Sequence, residues 1–296
     1  MGMLQVVIGL IFVLLLLSLL ATTIMELIAS LFGLRGQNLE KALKNMLASS
    51  DVEQKILQAF QSNALYKQLS FQYGKNRQAP SYLSSDSFQS ILLDVIAKGE
   101  GLDNLKAQIQ DLPDDDLKKV LNQFLDEADN KLDVFKKKVE TWYNDVMDRA
   151  SGWYKRYTQK ILIGVGFLIA VVFNADTLAI YERLESDPES LQAVVDLAED
   201  YVNGADNESV ALSTSPELAQ SIDKLEGLIN NQIETVKSPL GLGWKNIDWA
   251  EVGPYDVLTT LLGWIVTALA ISLGAPFWFD LLRKIVNIRS SGAKPN

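Results

Sequence analysis

Three long runs of apolar residues divide the chain, and polar sequence fills the rest. The runs cover residues 3–34, 161–180 and 257–276. Each supplies the ~20 residues that an α-helix, rising about 1.5 Å per residue, needs to cross a hydrocarbon layer of about 30 Å. The pattern therefore predicts an integral membrane protein with three transmembrane helices: 1–34, 161–181 and 257–276.

Between these spans, apolar residues recur at helical spacing instead of alternating as in a half-buried β-strand. Two sets step by four residues: Leu39, Leu43 and Leu47, and then Phe88, Leu92 and Ile96. The pattern predicts an all-α fold. We expect a helical domain at 35–160 and a small acidic helical hairpin at 182–256. We expect an amphipathic helix and tail at 277–296.

The segment from residue 130 to residue 180 contains no strong helix breaker, so it predicts one continuous helix that runs from the 35–160 domain into the second span. Apolar residues along it step by three and four: Leu132, Phe135, Val139, Trp142, Val146, Ala150, Trp153 and Tyr157. This near-heptad stripe fits the core of the 35–160 domain, packed on Leu39 and Leu43. It also fits an intermolecular coiled coil.

Charge alternates across the spans. Residues 35–160 hold 19 basic and 18 acidic side chains, whereas residues 182–256 hold 4 basic and 16 acidic ones. Because positive flanks stay cytoplasmic, we expect the N-terminus outside, 35–160 inside, 182–256 outside in the periplasm or lumen, and the C-terminus inside. The acidic outer part argues against a nucleic-acid partner.

The first apolar run also has features of a cleaved signal peptide. However, residues 1–5 carry no charged side chain, and the basic residues follow the run instead of preceding it. A signal peptide has a basic start and a shorter apolar core. We therefore expect this segment to remain as a membrane anchor.

The chain contains neither Cys nor His. This composition excludes disulfides, iron–sulfur clusters, thiolate metal sites and the Ser-His-Asp triad. We therefore expect no cofactor, no metal site and no enzyme activity. An enzyme would have to rest on pairs such as Ser81 or Ser151 beside Lys75 or Lys155.

A polar stripe with steps of four runs along the first span: Ser18, Thr22, Glu26 and Ser30. An ionisable residue within a span is a functional-site hypothesis by default, so Glu26 is a candidate cation or proton site. The alternative is a structural ion pair with Lys160, Arg283 or Lys284.

Aromatic and basic residues cluster where the second span should enter the lipid headgroups, and again after the third span. Amphipathic rings and cations both favour that depth. We predict one interfacial collar, in which Asp280 pairs with a cation of residues 149–160. Its residues are Arg149, Trp153, Tyr154, Lys155, Arg156, Phe277, Trp278, Asp280 and Arg283.

Four stretches carry a family resemblance: residues 79–83 with the helix at 88–96, then 147–156, 174–178 and 272–282. The second reads MDRASGWYKR and the fourth reads SLGAPFWFDLL. Together they resemble a widespread family of bacterial inner-membrane proteins for which no activity is known. The resemblance spans nearly the whole chain. It implies a location in the bacterial inner membrane and transfers no function.

Three functions fit the sequence. The first is a non-catalytic anchor or scaffold that docks a partner at the cytoplasmic face. The second is a transmembrane signal transducer that works through the long helix, and the third is an oligomeric channel or transporter that uses Glu26. The expected partners are membrane lipids and another protein, or a second copy of the chain, bound through helical faces.

Overall fold

The computed structural model describes residues 2–48, 54–73, 76–98, 104–113, 115–205, 223, 225–240, 242–244 and 252–292. The chain forms two compact units. Residues 1–31 and 158–296 make one, which we call the terminal unit. Residues 32–157 make the other, which we call the insert unit. The bounds of the insert unit lie within three residues of the predicted domain at 35–160.

The insert unit is helical, with one short antiparallel hairpin among its described residues, in which Phe71 pairs with Gln78. Its helices are α2 (Leu34–Leu47), α3 (Lys55–Ser62), α4 (Ala64–Leu69), α5 (Ser85–Ala97), α6 (Leu105–Gln110), α7 (Asp115–Glu127) and the first part of α8 (Leu132–Val172). The strands β1 (Phe71–Tyr73) and β2 (Asn76–Gln78) lie between α4 and α5.

The stripe on α8 forms part of the core of the insert unit. Phe135 and Val139 are fully buried, in one cluster with Leu39 and Leu43 of α2. The core interpretation of the stripe is therefore confirmed over this part of α8. Farther along, Trp153 and Tyr157 are 53% and 54% exposed, so the stripe leaves the core before the helix leaves the unit.

The terminal unit is built around α1 (Met3–Leu31). The other elements are the end of α8, α9 (Thr177–Ser186), α10 (Pro188–Ala205), a π-helical turn (Leu228–Ile233), α11 (Glu234–Leu240), α12 (Pro254–Ile271) and α13 (Ala275–Gly292). Helices α9, α10, α12 and α13 all contact α1. Most of its side chains from Val6 to Ala21 are buried. The most apolar helix of the chain is thus largely covered by other helices of its own unit.

Among the described residues, α1 and α12 are each long and apolar enough to cross a membrane. Helices α8 and α9 meet that criterion only as a pair, and the pair bends by 49°. These features indicate a membrane protein with two or three membrane-spanning elements.

The predicted continuous helix over residues 130–180 is wrong. Helix α8 ends at Val172 and α9 begins at Thr177. Asn174 adopts a left-handed conformation with φ of 47°. The Asp176 carboxylate caps α9 by accepting hydrogen bonds from the backbone N–H groups of Leu178 and Ala179. Asn tolerates a left-handed backbone and Asp favours helix N-cap positions. These two residues therefore end one helix and begin the next, although the segment between the helices contains no Pro and no Gly.

The predicted outer hairpin at 182–256 falls partly outside the described residues, and it stays a prediction, as does the interfacial position of the helix at 277–296. The apolar faces of α10 and α13 join the core around α1. The Tyr201 ring lies 5.8 Å from that of Phe12 and 6.4 Å from that of Phe279, between ring centroids. Arg289 of α13 donates to Glu199 of α10 at 2.5 Å. Segments assigned by sequence to opposite membrane faces are therefore in contact.

Tyr143 offers a direct test of the insert core. Its buried hydroxyl donates to the carbonyl oxygen of Leu83 at 2.6 Å, and burial raises the pKa of this phenol. Tyr143→Phe leaves a buried carbonyl without its donor, which costs about 1–3 kcal/mol. We expect chemical denaturation to show that loss. Tyr82→Phe is the control, because Tyr82 is 77% exposed; equal stability of the two variants would contradict the role of Tyr143.

Candidate functional site

The insert unit carries an open groove of about 410 Å³ between α2 and α8. Its lining combines aromatic rings, side-chain amides and one lysine with small apolar residues. The lining residues are Leu34, Gln37, Asn38, Lys41, Ala42, Asn45, Ala150, Trp153, Tyr154 and Tyr157. Such a surface suits binding of a ligand that is partly apolar and partly anionic.

Small side chains and one hydrogen bond set the shape of the groove. Ala42 and Ala150 are each 2% exposed, which lets the two helices approach closely. The Asn38 amide donates to the carbonyl oxygen of Ala150 at 3.3 Å and ties α2 to α8. At Gly36, a Cβ atom would lie 2.7 Å from the carbonyl oxygen of Ala79. Glycine there lets the segment that begins at Ala79 pack against α2.

The segments that form the groove are strongly basic. Residues 34–45 and 149–157 contain six cations and a single acid. The acid is Glu40, and the cations are Arg35, Lys41, Lys44, Arg149, Lys155 and Arg156. Lys41 lines the groove itself and is exposed. This charge favours an anionic ligand.

A second polar cluster lies in the terminal unit, where the chain passes from α8 to α9. Asp176 is only 8% exposed and lies directly against Gly263 of α12. The hydroxyls of Thr177 and Thr267 are 2.7 Å apart, and Thr267 also donates to the carbonyl oxygen of Ala175 at 2.8 Å. The cluster fixes the helix break to α12. Its hydroxyl groups form hydrogen bonds with backbone groups that would be costly to leave without a partner in an apolar unit.

The polar stripe of α1 has several different roles in the structure. Ser18 is fully buried and donates to the carbonyl oxygen of Ile271 at 3.4 Å. Thr22 donates to the Ser18 carbonyl of its own helix at 2.8 Å. Glu26 is half-buried and has an interaction partner, and Ser30 is exposed. The use of Glu26 in transport stays a prediction.

The predicted collar residues lie in both units, and their assembly into one collar stays a prediction. Trp153 and Tyr154 line the groove of the insert unit. In the terminal unit, the Trp278 indole donates to the carbonyl oxygen of Ala270 at 2.7 Å. The Phe277 ring packs edge-on against Trp278, and Asp280 is exposed.

The sequence analysis did not predict the side-chain amides that line the groove, nor the polar cluster between α8 and α9. Asn38, Lys41 and Asn45 step by three and four along α2, so a search for polar stripes outside the spans would have found them. Asp176 was grouped with the acidic residues that follow the second span. Its position two residues after Asn174 was the signal that Asp176 is the N-cap of a new helix.

Comparisons with known proteins supply no functional assignment. A scan against protein-family models and searches of curated proteins and solved structures found no match to this chain. The family resemblance carried by residues 147–156 and 272–282 stays a prediction.

The contact between Gly263 and Asp176 gives a paired test of the helix break. A Cβ atom at residue 263 would overlap the Asp176 carboxylate, so Gly263→Ala must displace the cap. We expect Gly263→Ala to lower the unfolding temperature in detergent. Gly164→Ala is the control, since no atom lies within 4 Å of the added Cβ. There, alanine should be neutral or stabilise the helix by about 0.5–1 kcal/mol. Equal effects at both sites would contradict the proposed contact.

Proposed function

We propose that this chain is a non-catalytic membrane scaffold. The terminal unit anchors it in a bacterial inner membrane, and the insert unit holds a partner protein at the cytoplasmic face. The observation that carries the proposal is the uneven distribution of exposed apolar side chains over the terminal unit.

The anchoring part rests on one wall of the terminal unit. Apolar side chains of α12 that are 39–58% exposed run along most of the helix: Val257, Leu258, Leu261, Leu262, Ile265, Val266 and Leu269. Leu168 and Val172 of α8 are 63% and 65% exposed. A contiguous apolar surface of this kind favours contact with lipid or with another apolar surface. The length of α12 favours lipid.

The docking part rests on the insert unit, which has its own core of buried residues on α2, α3, α5, α7 and α8. A separate core lets this unit present helical faces without support from lipid. Its charges are nearly balanced, as expected for a surface that is in water and binds protein. The open groove between α2 and α8 adds a concave feature to that surface.

The contact between α10 and α13 changes the topology that we propose. The sequence-based orientation is kept for the N-terminus (outside), for 35–160 (inside) and for 182–256 (outside). The C-terminal helix moves to the compartment of residues 182–256, because Arg289 pairs with Glu199. Gly274, with φ of 88°, lies in the turn between α12 and α13. In this topology α13 packs along α1 and returns the chain to the side on which α12 begins, and its exposed charges Asp280, Arg283 and Lys284 face water or protein instead of lipid. The ion pair between Arg289 and Glu199 then offsets part of the positive-inside preference of α13.

Leu262→Lys tests the anchoring and the docking together. Leu262 is 49% exposed on α12, and a lysine near the centre of a span opposes insertion by about 2.5–3.5 kcal/mol. We expect the variant to be lost from carbonate-washed membranes and to lose the partner protein. The measurement is light scattering of the tagged chain, expressed at its native level and extracted in mild detergent. The unchanged chain should show a protein mass above the 32.9 kDa of one copy.

Ala193→Lys is the matched control, because Ala193 is exposed on α10 of the same unit. It should keep both membrane association and the larger mass. A protein mass of one copy for the unchanged chain would contradict the scaffold function. Equal loss from the membrane in both variants would contradict the assignment of α12 as the lipid-facing wall.

A further inference from the structure

We propose that the groove between α2 and α8 binds an anionic phospholipid, whose headgroup meets the polar lining and whose glycerol and upper acyl carbons meet the aromatic lining. The ligand class is a phosphodiester that carries two fatty acyl chains. This inference rests on the proposed membrane location of the chain and does not depend on its docking of a partner protein.

The groove has the donors that a phosphate group needs. The side-chain amides of Gln37, Asn38 and Asn45 and the ammonium group of Lys41 line it. Asn38 also bonds the Ala150 carbonyl, so its position is fixed. Five further cations lie on the two segments that form the groove. Basic surfaces next to a membrane attract anionic lipid, so the charge selects for phosphatidylglycerol-like headgroups over zwitterionic ones.

The aromatic rings distinguish a lipid from a soluble anion. Trp153 and Tyr157 are more than half exposed although they line the groove. A free phosphate would contact the amides and Lys41 and would leave these rings in water. A phospholipid covers the rings with its glycerol and upper acyl carbons while its phosphate reaches the amides. One lipid molecule thus provides a phosphate for the amides and Lys41 and an apolar part for the aromatic rings.

The test uses the full chain in neutral detergent, titrated with phosphatidylglycerol or with phosphatidylcholine and followed by native mass spectrometry. We expect tighter binding of phosphatidylglycerol. Lys41→Gln should weaken that binding about fivefold, as expected for one lysine near an anionic lipid, and should weaken phosphatidylcholine binding less, because the choline cation offsets the charge of its phosphate. Trp153→Leu should weaken both lipids, because the ring contacts the part of the molecule that the two lipids share.

Lys67→Gln is the matched control, since Lys67 is an exposed lysine of α4 that does not line the groove. It should bind both lipids as the unchanged chain does. Equal weakening by Lys41→Gln and Lys67→Gln would show diffuse surface charge and overturn the proposal. Unchanged binding in Lys41→Gln and Trp153→Leu would also overturn it.

Competition by soluble glycerol phosphate at the same concentration as the lipid would overturn the role of the acyl chains and identify a soluble anion as the ligand. The membrane location is tested separately by carbonate washing. A chain that is washed off would contradict the proposed function. A chain that stays in the membrane and shows no lipid preference would contradict only the groove proposal.

Discussion

Burial of α1 by helices of its own unit is the constraint on which the rest of the terminal unit depends. A helix that is apolar on all sides is stable only inside a protein core or inside lipid. Here Gly9 lets Leu184 and Val194 approach the α1 backbone closely, and α10 and α13 cover further parts of its surface. The remaining helices take their positions from this packing.

The packing makes the two sides of the terminal unit chemically different. Helix α12 presents apolar side chains outward, whereas α10 and α13 present exposed charges that include Asp196, Asp200, Asp280 and Lys284. Lipid can cover the first surface without a large electrostatic cost, and water or protein must meet the second. This difference is the basis for the proposal that the unit is an anchor with one lipid-facing wall. In the insert unit, the close approach of α2 and α8 forms a groove with a basic and aromatic lining.

The sequence was sufficient for the helical class and for the buried positions Phe135 and Val139, because both follow from helical periodicity. It was not sufficient for the partners of α10 and α13. The sequence of an amphipathic helix shows that one face is apolar, but it does not show which element covers that face. Here α1 covers the apolar faces of α10 and α13. The break at Asn174 was missed because its signals are local and lie inside a long apolar run. The groove depends on Ala42 and Ala150, whose small size matters only once α2 and α8 are adjacent.

The shared packing of α10 and α13 on α1 is tested most directly by cysteine labelling in sealed vesicles, since the chain has no Cys of its own. Asp200→Cys on α10 and Ile288→Cys on α13 each place one thiol at an exposed position, one residue away from Glu199 and Arg289. A membrane-impermeant maleimide should label both variants from the same side of the membrane. Labelling from opposite sides would contradict the contact between Glu199 and Arg289, and with it the arrangement of helices around α1.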